Sequence, residues 1–184
     1  MKRALLLIVA GLIALAGCAT PVAGQGSPAP VESPAATAAR PTAPTEIRIP
    51  KLGITDDIVP VGLNEDGSLE VPDVHQTGYY NDSPAPGQPG PALLAGHVNY
   101  QGQVGALAHI GQLKPGDRVE VTTATGATAV FTVYKVDEQK KKAIDWVAIL
   151  ADRPDPELVI VTCSGQLIGH SYDSNTVVTA RLIT

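Results

Sequence analysis

From residue 46 to residue 184 the apolar positions fall into short runs, several alternating with polar residues, and turn chemistry stops each run. The runs cover 47–49, 58–61, 69–71, 92–95, 118–123, 129–136, 158–162 and 176–183, and Val, Ile and Thr dominate them. Alternation of period two, or a short continuous β-branched run, is the signature of a strand with one or both faces packed. Between the runs lie Asn64-Glu65-Asp66-Gly67, Pro84-Ala85-Pro86-Gly87, Lys114-Pro115-Gly116-Asp117 and Thr125-Gly126, residue types that preset or tolerate turn dihedrals. Short strands spaced in this way predict a closed or nearly closed antiparallel barrel. Only 104–113 and 144–151 carry a helical pattern, each about two to three turns long. No internal repeat is visible.

The first 45 residues have another texture. Lys2 and Arg3 precede an apolar run over 4–16, which closes on Leu15-Ala16-Gly17-Cys18. That run is shorter than the roughly 20 residues a bilayer span needs, and small residues follow it, as in a removable export signal. The tetrapeptide is similar to the bacterial lipobox, whose cysteine is lipidated on sulfur and becomes the new N-terminus. Residues 1–17 are then the leader, and Cys18 anchors the protein to the outer face of the plasma membrane. A retained signal anchor or plain secretion are the alternatives. Residues 18–45 are mostly Pro, Ala, Thr, Ser and Gly, a composition that cannot offset its ordering entropy, and they predict a disordered tether. In polyproline form, at about 3.1 Å per residue, it reaches at most about 80 Å. The remaining 46–184 suffice for one domain and one core.

The formal charge is −5, and loss of Lys2 and Arg3 with the leader makes it more negative by two. An acidic chain without a basic stripe has no electrostatic grip on phosphates, which argues against a nucleic-acid partner. Lys140-Lys141-Lys142, the one basic run, reads as a solvated loop with no assigned function. No His, Cys, Asp or Glu cluster has metal-ligand spacing, so no metal and no cofactor is expected, and the domain reads as a monomer.

The chain has two cysteines, which in an exported protein ordinarily read as one disulfide. Lipidation of Cys18 removes that option and leaves Cys163 as a free thiol in an oxidising compartment, a liability unless its reactivity is used. Cys163 closes an apolar run, and the breakers Ser164-Gly165 place it where a strand enters a loop. A thiol there suits a nucleophile; the structural alternative is a small apolar filler. Ala92-Leu93-Leu94-Ala95-Gly96-His97 ends in a similar way on a histidine. Imidazole exchanges protons near neutral pH and can protonate a leaving amine after a thiolate attacks a carbonyl. His75, His109 and His170 lack such a context and read as structural.

Five segments in order carry a family resemblance: Ile47-Arg48-Ile49-Pro50-Lys51-Leu52-Gly53, Val59-Pro60-Val61-Gly62, Pro86-Gly87 leading into Leu94-Ala95-Gly96-His97, Leu113-Lys114-Pro115-Gly116-Asp117, and Val161-Thr162-Cys163. Together they resemble the sortases, cysteine transpeptidases of Gram-positive cell surfaces, over nearly all of 46–184. Thr162-Cys163-Ser164-Gly165 and the ending 171–178 look most like the actinobacterial class F group. The resemblance implies a mainly β fold, an eight-stranded sortase barrel with one or two short helices. It implies that Cys163 forms a thioester with the threonine carbonyl of an LPXTG-like sorting signal on a surface protein, with His97 as acid and base. An amine of a peptidoglycan precursor or of another surface protein then resolves the thioester.

One departure concerns the arginine that sortases carry at or just before the start of the last strand, where it holds the substrate carbonyl. Here that stretch is Asp173-Ser174-Asn175. Arg181 shares the parity of Asn175 but lies six residues on, roughly 20 Å away at about 3.3 Å per residue. Either the register here differs from the family and Arg181 is the substrate-positioning residue, or Asn175 or another arginine such as Arg48 supplies the donor, or the activity is reduced; Asn175 is the expected donor and Arg181 the structural residue. The anchor also departs, since sortases are commonly held by a transmembrane helix. Two other functions stand beside the enzyme: a sortase-fold binding or structural module, favoured by the missing arginine, and a peptidoglycan L,D-transpeptidase, whose Ser-x-Gly-Cys pattern Thr162-Cys163-Ser164 does not match.

Overall fold

A computed structural model describes residues 42–184, which lie within one compact unit. The leader, Cys18 and most of the tether fall outside the described residues. The strands are β1 (Pro44–Ile49), β2 (Ile54–Val61), β3 (Thr77–Tyr80), β4 (Gly90–Ala95), β5 (Asn99–Tyr100), β6 (Gln103–Val104), β7 (Arg118–Thr123), β8 (Thr128–Lys140), β9 (Pro156–Ile168) and β10 (Ser171–Leu182). Eight of them close a barrel in the order β1-β2-β3-β4-β9-β10-β8-β7, and β5 and β6 form a small separate hairpin. The strands that alternate in sequence do so in burial. On β7, Val119 and Val121 are fully buried, and on β8 Phe131 and Val133 join them in the interior.

The barrel is mixed rather than antiparallel throughout. β2 pairs β3 in parallel, and β4 pairs β9 in parallel from Gly90↔Pro156 to Ala95↔Val161. Parallel neighbours need a crossover connection. Residues 62–76 provide it for the first pair, and everything from β5 to β8 provides it for the second. Nothing in a local alternation pattern specifies the direction of a partner so far along the chain.

Several local expectations are corrected. The run 69–71 makes only an isolated bridge, Leu63↔Leu69, and the strand between β2 and β4 is β3, whose first three residues are all buried and so show no alternation. The segment 104–113 is not an α-helix: it starts in β6, turns, and ends in a 3-10 turn at Ile110–Gln112. Its three-residue apolar spacing instead lets Leu107, Ile110 and Leu113 join the main core. The segment 144–151 holds a single α turn, α1 (Trp146–Ile149). The Asp145 side chain caps it by accepting from the Ala148 amide at 3.0 Å, and Arg153 covers its other end through the Ala148 and Ile149 carbonyls. Pro44 and Thr45, counted with the tether, already belong to β1.

Two cores result from the two faces of the sheet. Leu94, Leu158, Ile160, Val178 and Ala180 point into the barrel. Leu93, Val159, Val161 and Val177, of opposite parity, point outwards and are covered by Leu69, Tyr80, Trp146, Ile149 and Leu150. The outer core sets the position of the site.

Candidate active site

Cys163 lies in the middle of β9, not at its end. The breakers after it do something other than stop the strand. Ser174 pairs with Ser164 and Tyr172 with Leu167, so β9 carries one extra residue there, a bulge. Gly165 sits in it with φ +79°, and a Cβ at that position would come within 2.3 Å of Asp173 Oδ1 and 2.6 Å of Ser174 Oγ. Only glycine fits. Asp173 fastens the bulge: its carboxylate accepts from Lys140 Nζ at 2.6 Å, from Ser174 Oγ at 2.7 Å and from the Gln166 amide at 3.1 Å. These bonds, the one from Lys140 first, hold its pKa down to about 2.

His97 reaches the same place from β4. The β4/β9 register ends at Ala95↔Val161, and two residues further along the two parallel strands stand His97 and Cys163. The strands stay tied beyond the ladder. The Gly96 amide donates to the Val161 carbonyl at 3.2 Å, and buried Thr162 Oγ1 donates to the Gly96 carbonyl at 2.9 Å. Behind His97 the chain folds back on itself, with the Leu107 amide donating to the His97 carbonyl at 3.2 Å. Gly105 permits this, since a Cβ there would lie 2.1 Å from the His97 carbonyl oxygen. The His97 ring stacks on Tyr100 of the β5–β6 hairpin, centroids 5.1 Å apart. That hairpin is tied to the last strand, Asn99 Nδ2 donating to Tyr172 Oη at 2.6 Å.

On the other flank of Cys163 is Asn175, its direct partner on β10. Directly paired residues point to the same face of a sheet. Cys163, His97 and Asn175 all line one cavity of about 490 Å³ on the outer wall of the barrel, with Leu69, Tyr80, Leu93, Val161 and Trp146 forming apolar walls. Cys163 is half-buried and has no disulfide. The walls are the outer core left uncovered at one edge, and short apolar runs in the sequence gave no sign of them; the single Trp was the one available signal. A second cavity, of about 770 Å³, shares His97 and Val71 with the first and carries Glu70 and Asp73.

The remaining candidates go elsewhere. Arg181 pairs with Glu157 on β9 and lies over the Tyr134 ring, 4.6 Å from its centroid. Tyr134 in turn donates to Glu157 at 2.9 Å; burial, then that bond, raises its pKa. Arg48 is on β1, across the barrel from β9, in an ion pair with Glu120 at 2.9 Å. Neither arginine lines the Cys163 cavity. His75 contacts Gln103 and His109 contacts Gln112, while His170 is in the turn between β9 and β10. Lys141, dismissed with its run of lysines, does line the cavity. Among the described residues no group of three His, Cys, Asp or Glu side chains converges as a metal site, and no helix is long and apolar enough to cross a membrane.

Comparisons with known proteins agree with this architecture. Comparison with curated proteins finds no match. Similar solved structures include a lid mutant of sortase A from Corynebacterium diphtheriae (TM-score 0.62, 18% identity, covering 80% of this chain and 73% of that one). Sortase C-1 from Actinomyces oris superimposes with a TM-score of 0.60 at 20% identity over 76% of this chain and 73% of that one. A Clostridium perfringens Sortase D5 transpeptidase gives 0.57 at 20% identity over 77% and 79%. At such identities the likeness is one of fold, and the neighbours come from several sortase classes. The family model "Sortase domain" matches residues 47–183, most of the chain and nearly all of the barrel. This chain belongs to the sortase family of transpeptidases.

Proposed function

We propose that this chain is a class F-like sortase that cleaves an LPXTG-like sorting signal at Cys163 and transfers the protein to an amine at the cell surface. The observation that carries the reading is the convergence of Cys163 on β9, Asn175 on β10 and His97, just past the end of β4, in one apolar-walled cavity. In the first step the Cys163 thiol gives its proton to His97 as the sulfur bonds to the threonine carbonyl carbon, the carbonyl becomes an oxyanion, and the Asn175 amide donates to it. Collapse breaks the C–N bond as His97 gives a proton to the leaving amine, and a thioester remains. The acceptor amine then attacks the same carbon, loses a proton to His97, and expels the thiolate. The second cavity, which shares His97 and Val71 with the first, offers it another side from which to approach His97. Cys18 carries lipid and holds the domain at the outer face of the plasma membrane by way of the 18–45 tether.

A second reading, a sortase-fold binding module, is favoured by one observation: no arginine lines the cavity. The experiment that separates the two is incubation with a labelled LPXTG peptide and an amine acceptor, followed by mass spectrometry. The enzyme reading expects a thioester adduct at Cys163 and an amide product. Cys163→Ala gives neither and keeps its melting temperature, since a half-exposed sulfur contributes little packing. Cleavage by the alanine variant excludes the covalent mechanism, and a wild-type protein that binds the peptide without an adduct is the module.

A further inference from the structure

The Cys163 cavity is walled by apolar and neutral polar side chains with one fixed charge, Lys141, and no Asp or Glu lines it. Lys141 follows β8 at the start of a 3-10 turn, Lys141–Ala143, just past the last β8–β10 pair, Lys140↔Ser174. Its neighbour Lys140 takes the carboxylate of Asp173. Lys141 has only a neutral partner, Ser171 Oγ, at 3.2 Å, and makes no salt bridge among the described residues. It is half-buried. An ammonium at the rim of an apolar cavity, unmatched by protein charge, attracts an anion more strongly than one in open solvent, because fewer waters and counter-ions screen it.

We propose that Lys141 is a specificity-determining residue that recognises a side-chain carboxylate of the bound peptide, so that the favoured substrate carries Asp or Glu next to the scissile threonine. This deepens the sortase reading and rests on it for the word substrate. The charge itself does not. Lysine is suited to the role because its three donors and flexible stem can leave Ser171 for a stronger, charged acceptor. Asn175, which lines the same cavity, remains free for the carbonyl.

Two measurements on the full domain decide the matter. The first is kcat/KM for three terminally blocked peptides that differ only in Glu, Gln or Lys at the position before threonine. Blocked termini separate a side-chain carboxylate from a C-terminal one. Wild type should prefer the Glu peptide over the Gln peptide by about fivefold to tenfold at low salt, less at high salt. Lys141→Gln should level the two, Lys141→Glu should turn preference to the Lys peptide, and Lys141→Arg should keep the wild-type order. A Glu/Gln ratio near one in wild type, or one unchanged in Lys141→Gln, overturns the proposal. The second measurement needs no turnover: the rates at which an anionic and a cationic methanethiosulfonate modify Cys163. Their ratio should fall in Lys141→Gln and fall further in Lys141→Glu, and an unchanged ratio overturns the assignment. Should no peptide be cleaved while the ratio responds, the charge assignment stands and the sortase reading fails.

Discussion

Asn175 and Arg181 share a strand and a parity, yet the pairing sends them to different surroundings. Asn175 is level with Cys163, whereas Arg181 is level with Glu157 and stacked on Tyr134. A neutral amide is a weaker donor than a guanidinium, so turnover by this site should be low. Asn175→Ala should reduce kcat/KM about tenfold or more with little change in melting temperature. Arg181→Ala should do the reverse, lowering stability by loss of the Tyr134 contact, worth about 0.5–1 kcal/mol, and leaving kcat/KM near wild type. Parallel kinetics and thermal melts on the two variants check this. Activity lost from Arg181→Ala but not from Asn175→Ala makes the arginine the donor. At this scale the sequence was informative about which side chains have chemistry: Cys163 stood out as an unpaired thiol and His97 as an imidazole at the end of an apolar run. Lys141 was illegible, because a lysine in a basic run and a lysine at a cavity rim look alike until the fold places the rim.

The β9–β10 hairpin shows how an element can reverse the meaning of its own residues. Ser164 and Gly165 read as the end of a strand, and glycine does often end one. Here its positive φ makes a bulge, and the strand runs on to Ile168. Propensity registers that a dihedral is unusual without saying whether pairing resumes after it. Asp173, which clamps the bulge, gives the hairpin a pH dependence. Its folded pKa, about 2, is below the ordinary 3.8, so the folded state favours the carboxylate. The stabilisation is therefore complete above about pH 4 and lost as pH falls through about 2. Amide hydrogen exchange of 164–174 should stay constant from pH 7 to pH 4, after correction for intrinsic rates, and quicken below that. In Asp173→Asn the same amides should be fast at every pH and lack that step. A step at the same pH in the variant assigns it to another carboxylate.

For the whole molecule the proposed tether and anchor bear on where the chemistry happens. If Cys18 carries lipid, Cys18→Ser should move the protein from the membrane fraction to the medium, or leave the leader attached, while the isolated 42–184 domain keeps the wild-type kcat/KM on peptides. Intact-mass measurement of the membrane fraction checks the first point; wild-type protein that retains residues 1–17 contradicts it. The sequence by itself determined the β class, most strand positions and the family, and it singled out the two candidate reactive side chains, because alternation, turn residues and short ordered motifs are local and survive without knowledge of partners. Only tertiary structure decided that β4 and β9 run parallel. In that arrangement His97 and Cys163, 66 residues apart, advance in the same direction and meet, whereas an antiparallel pairing of the same strands carries them to opposite ends. It also decided that Cys163 faces the outer wall, where Trp146 and Leu69 turn the outer core into a cavity beside it. Both decisions depend on which distant segment lies next to which, a property of the closed barrel and not of any window along the chain.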